Sequence, residues 1–142
     1  MEWISNGFED INFWLVALSS VIGMVIGMVW YGNGLFGESW RKEVGMKKKD
    51  MENMEGMGAM FARSFVLGFI ASSVLFAILK LASASSWGDA VWIAIVLSVG
   101  FTFTAIAVNN IYQRRNMQLT FIDAGYQMAS LIAAALVYNL WA

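Results

Sequence analysis

Residues 60–81 read MFARSFVLGFIASSVLFAILKL, a run whose only charges, Arg63 and Lys80, stand near its two ends and which contains no proline. At ~1.5 Å per residue a helix of this length reaches roughly 30 Å, the thickness of a bilayer's hydrocarbon core. A strand of a membrane barrel needs only about ten residues that alternate in polarity. This run is apolar on every face for twice that length, so it predicts a membrane-spanning helix.

Three further stretches have the same character: residues 11–31, 89–112 and 121–141. Composition agrees with them, because 59% of the 142 residues are hydrophobic and 13% charged, and the mean hydropathy is +0.62. Soluble chains carry about 25% charged residues to cover their surface. The expected fold is therefore all-α: a polytopic membrane protein whose four transmembrane helices form one compact bundle, a single domain over residues 1–142 with a long cytoplasmic loop at 32–59. The first stretch reads as a retained span and not a signal peptide, since Glu2, Glu9 and Asp10 stand where a basic segment belongs.

Charge sets the expected orientation. Of the nine basic residues, Arg41, Lys42, Lys47, Lys48, Lys49, Arg63, Arg114 and Arg115 fall on one side, and Lys80 alone falls on the other. The positive-inside rule makes the first side cytoplasmic and puts both termini outside. Tryptophans and tyrosines gather in two belts at the ends of the spans, where amphipathic rings settle. Helix starts are also marked, by Ser86 with Asp89 and by Thr120 with Asp123, both in the capping-box pattern.

What is missing narrows the chemistry. The chain has no cysteine and no histidine, which removes thiolate nucleophiles, disulfides and the commonest general base and zinc ligand. A net charge of −1 offers no basic field for nucleic acid. Neither a phosphate-binding glycine loop nor a nucleophile elbow is present. No catalytic residue and no cofactor are assigned, and the balance leans away from an enzyme.

Small residues recur at helical spacing in each span: Ser19, Gly23 and Gly27, then Ser64, Gly68 and Ser72, then Ala94, Ser98 and Thr102, then Ser130 and Ala134. Such rows let backbones approach closely in lipid, where hydrophobic drive between helices is weak. They serve either packing within the bundle or association of two copies. On span two, Phe65, Phe69 and Phe76 lie on other faces and are expected to meet lipid or a partner protein.

Charged and polar residues near the cytoplasmic rim form the candidate site. Asp123 is the one acidic residue close to the inside of a span, within reach of Arg63, Arg114 and Arg115, and Asn110 stands nearby. Intramembrane charges are functional suspects, although a helix start also favours an acid for its own sake. Met51, Met54 and Met57 repeat every third residue in the long loop. Thioethers suit cuprous ion, and the same spacing gives an apolar stripe for a helix lying on the membrane.

The run from Trp30-Tyr31-Gly32 through Phe36-Gly37, Trp40-Arg41 and Gly45, with Arg114-Arg115-Asn116 and Asp123-Ala124-Gly125-Tyr126-Gln127, resembles the signature of the domain of unknown function 1761 family. The likeness covers nearly the whole chain. It implies a four-span membrane fold and brings no established activity. Asn33 stands where that family usually has proline, and Gln127 where it often has histidine. A site shared with that family would be surrounded by Trp30, Tyr31, Trp40, Arg114, Arg115, Asp123 and Tyr126.

The expected function is a structural or accessory membrane subunit in the cell membrane, its partners being the lipid bilayer and other membrane proteins or its own copies. A small transporter or channel using the rim, and copper handling through the methionine loop, are the alternatives.

Overall fold

A computed structural model describes residues 1–47 and 56–141. It contains helices α1 (Glu2–Phe8), α2 (Phe13–Trp30), α3 (Gly37–Val44), α4 (Met57–Leu81), α5 (Trp87–Leu97), α6 (Thr104–Tyr112) and α7 (Met117–Asn139), with a π-helical segment (Ser98–Phe103) joining α5 to α6. No strand occurs among the described residues. Four helices, α2, α4, the continuous α5–π–α6 and α7, are long and apolar enough to cross a bilayer. The protein has an all-α, polytopic membrane fold.

Side-chain caps set three of the helix starts, those of α2, α5 and α7. Asn12 Oδ1 accepts from the Trp14 N–H at 3.1 Å, Ser86 Oγ from Asp89 at 3.1 Å, and Asn116 Oδ1 from Gln118 at 3.1 Å. These bonds satisfy N–H groups that the first turn of a helix leaves open. Ser86 thus caps its helix as its pattern predicts. Thr120 does not, because α7 has already begun at Met117 and the threonine hydroxyl is taken by Asn110.

Space is shared unevenly. α2 lies between α4 and α7, and the α5–π–α6 span packs along the other side of α7. The close-packed core gathers where α4 ends and α2 begins, around Val16, Leu75, Phe76, Leu79, Ala134, Ala135 and Tyr138. Phe76 is fully buried and meets Tyr138 edge-on at 5.3 Å, so the expectation that it faces lipid or a partner is overturned. α4 is apolar all round, and such a helix gives no stripe from which to read its inner face. Phe65 and Phe69 are half-buried, and Phe69 stacks on Phe13.

Two short helices, α1 and α3, fall where the sequence predicts none. α1 folds back on α4, with Gly7 so close to Leu81 that a Cβ would lie 2.9 Å from its Cδ1, and Lys80 Nζ donates to the Glu9 carbonyl. Just after the π segment, Thr104 Oγ1 donates to the Gly100 and Phe101 carbonyls at 2.9 and 3.0 Å.

Candidate functional site

α2 ends on Trp30 and Tyr31, and the chain then folds back on itself. Phe36 N–H donates to the Trp30 carbonyl at 3.0 Å and Gly37 N–H to the Gly32 carbonyl at 3.0 Å. A Cβ at residue 37 would lie 2.3 Å from the Tyr31 carbonyl oxygen, so only glycine fits this turn. α3 follows at once and returns Trp40 against Tyr31, ring to edge at 5.4 Å. Phe36 covers Trp30 at 4.9 Å.

Three hydrogen bonds then fasten α2 to α7. Trp30 Nε1 donates to the Ile122 carbonyl at 2.9 Å, Tyr31 OH to Asp123 Oδ1 at 2.7 Å, and Tyr126 OH to the Gly23 carbonyl at 3.1 Å. Tyr31 and Tyr126 also meet edge to face at 5.4 Å. Two donors run one way and one runs the other, which makes a reciprocal clasp. Glycines set its depth: a Cβ on Gly125 would come within 2.9 Å of the Trp30 ring, and one on Gly27 within 3.2 Å of the Tyr126 ring.

The structure thus brings Trp30, Tyr31, Trp40, Asp123 and Tyr126 together. Asn110 is buried one helix away, where its amide donates to Thr120 Oγ1 at 2.9 Å and ties α6 to α7. Arg115 is exposed, and its Nε donates to Gln113 Oε1 at 2.8 Å. Arg114 is exposed at a positive φ of 54°. Arg63 stands on α4 beside Ala62, Val66 and Leu67, and no ion pair joins it to Asp123 among the described residues.

Of the residues expected to pack, Ser19, Gly23, Ser72 and Ser98 are buried, Gly27, Gly68 and Thr102 are half-buried, and Ser64 is exposed. Gly23 and Gly27 face Ser130 and Tyr126 of the same chain, and Gly68 faces Ser20. Met57 is exposed at the start of α4, whereas Met51, Met54, Lys48 and Lys49 lie outside the described residues. Sequence reasoning misses three parts of this region: Phe36 as the cover of Trp30, Gly37 as the pivot of the turn, and Ile122 as an acceptor. A main-chain acceptor leaves no mark in the side-chain pattern.

Chemically, three donors of the rim, on Trp30, Tyr31 and Tyr126, are matched to acceptors within a cluster of aromatic rings and one carboxyl on a four-span helical membrane scaffold. The chain belongs to the family described as protein of unknown function (DUF1761), whose profile matches residues 14–139 and so takes in all four spans and the clasp. Neither the curated proteins nor the solved structures yielded a match.

Proposed function

We propose that the protein is a non-enzymatic subunit of the cell membrane that packs against other membrane proteins or against its own copies, with its basic loops in the cytoplasm and both termini outside. The clasp is the observation that carries this reading. Trp30, Tyr31 and Tyr126 spend their donors on joining α2 to α7, so the rim holds helices in register and leaves little polar capacity for a reaction. Outward faces supply the packing surface: Val66, Leu67 and Ile70 on α4, and Phe101, Val108 and Ile111 on the third span, are large, apolar and exposed.

Mass measurement after extraction in a mild detergent tests it. The expected result is an assembly heavier than one chain, either a homo-oligomer or a complex with a second membrane protein. A lone chain that moves a solute across liposomes overturns the proposal and favours the transporter alternative. Labelling of the loop lysines by an impermeant amine reagent from outside intact cells overturns the orientation.

A further inference from the structure

α1 is seven residues long, and helices this short are marginal in water. Little within the protein compensates. Met1 at its start makes no side-chain hydrogen bond, and the one residue that α1 buries is Gly7, which has no side chain to pack. Its large apolar residues, Trp3, Ile4 and Phe8, are all exposed.

The order of residues nonetheless separates two faces. Glu2, Ser5, Asn6 and Glu9 stand at i, i+3, i+4 and i+7 and so form one stripe of a helix, while Trp3, Ile4 and Phe8 share the opposite half with Gly7. Gly7 is turned to α4, where a Cβ would lie 2.9 Å from Leu81 Cδ1 and 3.4 Å from Ala77 Cβ. The apolar half of α1 therefore looks toward the end of a membrane span, and the polar stripe looks away from it.

Two observations set the level at which α1 lies. Lys80 stands in the last turn of α4, and an ammonium at the end of a span settles among the lipid headgroups. Its Nζ donates to the Glu9 carbonyl, which holds the end of α1 at that same level. Phe13, Trp14 and Leu81 next to it are exposed as well, so Trp3, Ile4 and Phe8 continue the surface that α2 and α4 turn to lipid.

We propose that α1 is an amphipathic anchor lying along the bilayer surface where α2 begins, with Trp3, Ile4 and Phe8 among the headgroups and upper acyl chains and with Glu2, Ser5, Asn6 and Glu9 in water. Its partner is the lipid surface itself. Tryptophan and phenylalanine suit that boundary. The polar stripe carries two carboxylates and no cationic side chain, so the attraction is apolar and zwitterionic lipid suffices for it.

The chain lacks cysteine, so Ile4→Cys, Phe8→Cys and Asn6→Cys each introduce a single thiol for an environment-sensitive fluorophore. All three side chains are exposed, and the fold has room for the label. In phosphatidylcholine proteoliposomes, a nitroxide near the headgroup end of the acyl chain is expected to quench positions 4 and 8 about threefold more than position 6, as an apolar face sunk about 5 to 10 Å requires. Iodide in the water is expected to give the reverse order. Equal quenching by the lipid nitroxide at the three positions overturns the proposal. So does a label at position 4 or 8 that neither quencher reaches, which marks cover by another protein or a second copy. Stronger quenching at those positions by a nitroxide at the far end of the chain also overturns it, since the helix would then lie within the hydrocarbon.

Discussion

Tyr31 donates its phenolic hydrogen to Oδ1 of Asp123 across 2.7 Å, joining the end of α2 to α7 over 92 residues of chain. Hydrogen bonds between membrane helices average about 0.6 kcal/mol and reach about 1.7. A half-buried carboxyl with a matched donor belongs toward the upper part of that range. Removal of the hydroxyl in Tyr31→Phe is expected to cost about 1 kcal/mol in a detergent unfolding titration. In an Asp123→Leu background, where no acceptor remains, the same change is expected to cost little. Equal penalties in both backgrounds would show that the hydroxyl acts elsewhere.

Gly125 admits the Trp30 ring, which its bond to Ile122 holds in place. Gly125→Ala pushes a methyl into that ring and is expected to lower stability by about 1 to 2 kcal/mol, the overpacking cost exceeding the gain in helix propensity. Gly58→Ala is the control. Nothing lies within 4 Å of a Cβ at residue 58, so there the propensity gain of up to about 1 kcal/mol should appear alone. Melting temperatures of the two variants, moving in opposite directions, check the pair.

Two phenylalanines separate core from periphery. Phe76→Ala opens a hole in the fully buried cluster and is expected to cost about 3 kcal/mol or more. Phe101 is 72% exposed, and Phe101→Ala is expected to stay within about 0.5 kcal/mol. A large loss at Phe101 in a purified single chain would mean that the third span is held more tightly than its position indicates.

Asn116 and Thr120 have different duties one turn apart. Asn116→Ala removes the cap of α7 and is expected to cost about 1 kcal/mol by unfolding titration. Thr120→Val removes the acceptor for Asn110 and is also expected to destabilise. Its penalty should shrink when Asn110 is replaced by leucine, whereas that of Asn116→Ala should not.

The four spans are legible because hydropathy is a sum over some twenty residues, and a single misread position does not change it. Caps are shorter signals and less secure. Ser86 acts as its pattern predicts, but the same pattern at Thr120 lies inside a helix that Asn116 already starts. Asp123 stands out as the acid nearest the inside of a span, yet its partner is a tyrosine hydroxyl and not an arginine, because bonding geometry depends on how two helices rotate against each other. Phe76 shows the same limit, since an evenly apolar helix does not declare its inner face. Ser130 belongs to a small-residue row that the sequence shows, but that it packs against Gly23 of α2 is set by how the two helices meet.

α7 touches α2, α3, α4, α6 and the span that carries the π segment, so it is the hub on which the others converge. In the order of synthesis it is also the fourth span to enter the bilayer. Apart from α7 the third span meets only a few residues of α4, and the acceptors of Trp30 and Tyr31 both lie on α7. The first two spans hold each other directly, through Ser20 on the Phe65 carbonyl and Phe13 on Phe69, whereas the third span is joined to the bundle almost wholly through α7.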